Sequence, residues 1–139
     1  MPDDVMTAIQ VSFLYGSWEL AKWDRVDADG SITYPYGEGA KGRIFYDPNG
    51  RMSAILMNSD WPKGGMDPVN GFMAYSGTFE LKGDVVHHAV DMCSDPRFVG
   101  MTLRRRVVID GEEVALETLA PVGLGERAST HRLFWRRHR

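Results

Sequence analysis

Tight turns and long loops alternate along this chain, and that alternation limits the choice of fold more than any other feature. The tight signals are Asp47-Pro-Asn-Gly50, Gly83-Asp84 and Asp110-Gly111. Such residues suit short antiparallel hairpins, whose backbone often needs a positive φ. Between and around them lie eight strand-like segments: Ser17–Val26, Lys41–Tyr46, Arg51–Met57, Ala74–Lys82, Val85–Ser94, Val99–Ile109, Glu112–Leu119 and Ala128–Arg137. Segments of this kind at nearly regular spacing predict an all-β sandwich or barrel. The connections after segments two, four and six are tight, and those after one, three and seven are long. In an up-and-down barrel, alternate connections lie at opposite ends. One end is therefore expected to be closed by hairpins and the other to be a mouth ringed by loops. Eight strands enclose a space that side chains fill, or that holds one small ligand.

Before the first strand, Pro2-Asp3-Asp4 is a plausible helix start, and Met6, Ile9 and Phe13 follow at helical spacing. A short N-terminal helical segment is expected within residues 1–15, near the closed end. The 139 residues read as a single domain spanning 1–139. A net charge of −3 offers no general basic field for nucleic acid or anionic membrane. The two basic runs, Arg104-Arg105-Arg106 and Arg136-Arg137-His138-Arg139, read as a strand with alternating faces and a chain end. The single cysteine, Cys93, permits no internal disulfide and no cysteine zinc cluster. No signal peptide and no apolar run of membrane-spanning length is visible, so a cytoplasmic protein is expected.

Alternation assigns faces. Val86, His88, Val90 and Met92 share one face of the fifth segment; Leu103, Arg105, Val107 and Ile109 share one face of the sixth. Treating Asp95 to Phe98 as a four-residue loop puts His88 opposite Arg105, both toward the core. Treating Gly83-Asp84 as a two-residue turn pairs Leu81 with Val86 and Phe79 with His88. The same treatment of Asp110-Gly111 pairs Val107 with Val114 and Arg105 with Leu116. Each pairing keeps the apolar faces together, and a slip of one residue would break it. The inward polar groups are then Tyr46, Tyr75, His88, Arg105, Thr118 and His131. Tyr36 belongs to the mouth, and Trp61 and Met66, in the long loop from Asn58 to Gly71, are placed to fold over it.

The chain resembles the bacterial and fungal lipocalin-like domain family. The matching stretches are Gly16-Ser-Trp-Glu-Leu20, Tyr34-Pro-Tyr-Gly-Glu38, Gly42-Arg-Ile-Phe-Tyr46, Asp47-Pro-Asn-Gly-Arg-Met-Ser-Ala54, Gly77-Thr-Phe-Glu-Leu81, His87-His88, Asp95-Pro96 with Val99-Gly100, and Arg105. Phe98 departs from the tryptophan expected before Val-Gly. Gly16-Ser17-Trp18 is also similar to the opening motif of lipocalins, and Arg136 or Arg137 to the arginine that covers its tryptophan. The resemblance implies a small closed eight-stranded antiparallel barrel with an internal pocket. It implies little about function.

An apolar pocket with a few convergent polar groups is the usual form of a small-molecule site. The expected role is to hold a small, largely apolar molecule bearing an anionic or carbonyl oxygen. Arg105 would orient that oxygen through its two parallel donors. His88, Tyr75, His131, Tyr46, Tyr36, Trp61 and Met92 complete the expected ligand contacts. One alternative is a cofactor-independent cyclase, isomerase or dehydratase acting on a polyketide- or terpenoid-like substrate, with His88 moving a proton and Arg105 stabilising an enolate. Another is a filled barrel serving as a structural or interaction module. No cofactor is expected. No metal is expected either, because His87 points away from His88 and no inward acid is evident. The outward Phe45, Ile55 and Leu119 are candidates for a homodimer patch.

Overall fold

The computed structural model describes residues 9–63, 71–119 and 129–138. Its strands are β1 (Gly16–Asp27), β2 (Ile32–Thr33), β3 (Lys41–Tyr46), β4 (Arg51–Met57), β5 (Phe72–Lys82), β6 (Val85–Cys93), β7 (Thr102–Asp110), β8 (Glu113–Thr118) and β9 (Ser129–Arg137). β1 and β3 to β9 pair antiparallel in chain order, and β1 also pairs with β9. That last ladder closes an eight-stranded barrel. β2 lies outside this count. It turns back on β1 with Arg25 opposite Thr33 and Val26 opposite Ile32, a pairing the sequence did not signal.

The closed end forms as the turn chemistry requires. Gly50 and Gly83 adopt φ of +93° and +64° in two of its hairpins. Below them Trp18, Tyr46, Met52, Val86, Val107 and Val114 pack into one buried core. The expected N-terminal helix is not found among the described residues. Val11–Leu14 form only a 3-10 turn, and residues 1–8 lie outside the described residues. This short turn still serves the fold. Leu14 is buried, and its carbonyl accepts a hydrogen bond from Trp18 Nε1 at 3.0 Å. Arg137 lies 4.2 Å over the Trp18 ring and donates to the carbonyls of Phe13 and Tyr15. One guanidinium thus caps the tryptophan and fastens the N-terminal segment across the barrel floor.

Register departs from expectation in two places. His88 faces Leu103, and Arg105 faces Val86, two residues from the expected pairing. The β6–β7 connection is longer than four residues because Pro96–Phe98 form a 3-10 turn, capped by the Asp95 carboxylate on Arg97 N. At the next hairpin Asp110 pairs with Glu113, so Gly111-Glu112 make the turn. Arg105 then faces Thr118, and Val107 faces Leu116. Both slips are of two residues and so keep every side chain on its expected face. The Gly83-Asp84 hairpin has the expected register, with Leu81 opposite Val86 and Phe79 opposite His88.

Two bulges do change faces. One lies at Ala21, where the β1–β9 register shifts between Leu20 and Lys22. It turns Trp23 inward. The other lies at Asp91, where Ser76 pairs with Met92 but Gly77 pairs with Val90. It turns Met92 to the outer surface, where it is 65% exposed. Gly77 is required there, because a Cβ would collide with the carbonyl oxygen of Ala89. Of the outward apolar residues, Phe45 and Ile55 are exposed and Leu119 is half-buried.

Candidate functional site

A cavity of about 350 Å³ lies inside the barrel toward the mouth. That is within the usual range for a small-molecule pocket. Ile44, Ala54, Leu56, Leu103, Leu116 and Leu133 form its apolar wall. Tyr75, His88, Arg105, Thr118, His131 and Trp135 also border it. They come from β5 to β9, and each is inward by strand alternation.

His88 is held between two tyrosines. Tyr46 Oη lies 2.6 Å from its Nε2, and Tyr75 Oη lies 2.9 Å from its Nδ1. All three groups sit deep in the barrel, and His88 is 1% exposed. Burial, with the nearby positive charges of Arg105 and His87 adding to it, holds the imidazole neutral and lowers its pKa to about 3. Burial also raises both phenols, Tyr75 to about 12, with Arg105 opposing the rise. The trio is therefore a neutral hydrogen-bonded chain.

Arg105 is half-buried beside it. Its Nη1 donates to the carbonyl of Arg104 at 2.8 Å. Among the described residues no carboxylate pairs with it. Burial depresses its pKa, and the two tyrosines partly offset that. A guanidinium keeps its charge in such a site, so the cavity wall carries a positive charge with unused donors. Arg105, Thr118 and His131 lie on three adjacent strands, and Thr118 Oγ1 accepts a hydrogen bond from His131 N. His131 Nδ1 in turn accepts from Trp23 Nε1 at 3.1 Å. Burial, then the charges of Arg25 and Arg105, lower the His131 pKa. Asp95 borders the mouth, but its carboxylate is held by Arg97 through Nε and Nη2. Trp135 is 3% exposed, and its Nε1 has no hydrogen-bond partner among the described residues.

Four of the eight expected contact residues border the cavity: His88, Arg105, Tyr75 and His131. Tyr46 stands behind His88 rather than at the cavity surface. Tyr36 is fully buried against Trp23, ring centroids 4.6 Å apart. Trp61 packs on Phe72 at 5.4 Å, and Met66 lies outside the described residues. Met92 is excluded by the Asp91 bulge. The expected direct facing of His88 and Arg105 is replaced by an indirect relation, with Tyr75 touching His88 and charge-coupled to Arg105. Sequence reasoning missed Trp23 because the Ala21 bulge reverses its face. It also missed the spare Trp135 N–H, for which no sequence signal exists.

No group of three or more His, Cys, Asp or Glu residues that could hold a metal occurs among the described residues. No helix among them is long and apolar enough to cross a membrane.

The model of the lipocalin-like domain family matches residues 15–138. No curated protein matches the chain. Among solved structures, the chain is similar to an uncharacterized protein from Bacteroides eggerthii DSM 20697. The two are 12% identical, with a TM-score of 0.48, over 88% of this chain and 98% of that one.

Proposed function

Since the chain belongs to the lipocalin-like domain family, whose barrels bind ligands, we propose that it binds a small, largely apolar molecule through an anionic or carbonyl oxygen. One observation carries this reading. The Arg105 guanidinium borders a largely apolar cavity and has a backbone carbonyl as its hydrogen-bond partner, with no carboxylate paired to it among the described residues. A buried cation without a counter-charge is costly, and an anionic or strongly polarised ligand oxygen would relieve that cost. Tyr75 adds a second polar group at the same wall.

Acid–base catalysis by His88, the alternative reading, is less well supported. Both ring nitrogens are already engaged by tyrosines, and a pKa near 3 makes the ring a poor base. A filled barrel is disfavoured by the size of the cavity.

Native mass spectrometry of gently purified protein tests the binding reading. The expected result is a non-covalent excess mass that disappears on denaturation and is lost or reduced in Arg105→Met. Charge-assisted hydrogen bonds contribute about 1.5–3 kcal/mol, so the variant should lose roughly ten- to hundredfold in affinity. An adduct retained in full by Arg105→Met would remove Arg105 as the anchor.

A further inference from the structure

The polar groups bordering the cavity share one hydrogen-bonding character. Most of them offer hydrogens, and the acceptors among them each already receive a hydrogen bond. His88 shows why. A neutral imidazole has one N–H and one bare nitrogen, yet both of its nitrogens face a tyrosine hydroxyl. Tyr46 is 3% exposed, and its only hydrogen-bond partner among the described residues is His88. Its O–H must therefore point at Nε2, or be left unmade in the core. Nε2 then accepts, Nδ1 carries the hydrogen, and Nδ1–H donates to Tyr75 Oη. The Tyr75 hydroxyl hydrogen is left over, and Tyr75 borders the cavity.

His131 is set in the same way. An indole N–H only donates, so Trp23 Nε1 fixes His131 Nδ1 as the acceptor. The hydrogen of the neutral ring is on Nε2. Arg105 keeps donors beyond the one bound to Arg104 O. Trp135 Nε1–H is unpaired among the described residues but closed off from the cavity space. On the accepting side, Thr118 Oγ1 takes the His131 amide and the Asp95 carboxylate takes Arg97.

We propose that the cavity selects by hydrogen-bond polarity, taking a compact hydrophobe with a bare acceptor oxygen, of the ketone, enolate or carboxylate class, over amines and alcohols. That oxygen meets Arg105 and Tyr75 on β7 and β5. This inference rests on the cavity being a binding site, as proposed above.

Calorimetric titration of the intact protein with four naphthalene probes tests it: 2-naphthoate, 2-acetonaphthone, 2-naphthalenemethanol and 2-naphthylmethylamine. The naphthoate and the ketone are expected to bind at least about tenfold tighter than the alcohol and the ammonium, the scale of one unpaired polar group. Tyr75→Phe and Arg105→Met are each expected to shrink that preference, weakening the naphthoate and the ketone more than the alcohol. Alcohol or ammonium binding within about threefold of the ketone overturns the polarity rule and leaves the binding function standing. Failure of all four probes to bind at about 1 mM overturns the binding function beneath it.

Discussion

Lowering the pH should withdraw a measurable share of stability through His88 alone. The folded-state pKa of about 3 lies below the 6.5 of an unperturbed histidine. Between those values the unfolded chain takes up a proton that the folded chain refuses. The stability due to a neutral His88 is therefore complete above pH 6.5 and is lost progressively as pH falls toward 3. From pH 7.5 to 4.5 the two pH units below 6.5 count, and together they amount to about 3 kcal/mol. The reference is His88→Gln, which can donate to one tyrosine and accept from the other but cannot titrate. His131, whose pKa is also lowered, is present in both proteins and cancels in the comparison. Urea unfolding followed by tryptophan fluorescence at pH 7.5, 6.0, 5.0 and 4.5 gives the two profiles. The wild-type protein should lose about 3 kcal/mol more than the variant across that range. Its His88 ring resonances should show no titration in the native state. Parallel profiles, or a native-state titration of His88 near pH 6, would refute the neutral Tyr46–His88–Tyr75 chain and the donor polarity derived from it.

Arg105→Met should leave stability unchanged or raise it by up to about 1 kcal/mol, since it removes a half-buried charge that no carboxylate pairs with among the described residues; thermal melting without added ligand reads this. Arg132→Ala should cost about 3 kcal/mol in urea unfolding, because Arg132 bonds Asp24 at 2.9 and 2.8 Å and Asp24 is 1% exposed. Arg137→Ala should cost about 2 kcal/mol and alter tryptophan emission, through loss of two carbonyl bonds and the stack on Trp18. Gly77→Ala should lower the urea midpoint, with a loss of about 2–3 kcal/mol, because the new methyl meets the Ala89 carbonyl across a ladder that cannot open without losing pairing.

Much of the architecture was legible in the residues alone. The segments Lys41–Tyr46 and Arg51–Met57 coincide with β3 and β4, and the other barrel strands begin or end within a few residues of expectation. The reason is local. A strand shows its faces by alternation with a period of two, and turns show themselves by residues that tolerate positive φ. The same period explains the register errors at β6–β7 and β7–β8. A slip of two residues preserves every face, so no pattern of apolar and polar residues detects it. The bulges at Ala21 and Asp91 escaped for a related reason. Each inserts one residue where the barrel bends, and neither residue type advertises a bulge.

By itself, then, the sequence determined that the chain forms antiparallel strands, which faces turn inward away from the two bulges, which end carries the tight hairpins, and that His88, Arg105, Tyr75 and His131 share the interior. Only the tertiary structure decided which of these groups meet. Tyr46 on β3 and His88 on β6 are not neighbours in the sheet, yet closure of the barrel brings Tyr46 Oη within 2.6 Å of the ring. The bulges exchanged Met92 for Trp23 at the interior. Contacts across a barrel depend on strand tilt, bulges and curvature summed around the whole sheet, and no local stretch of residues encodes that sum.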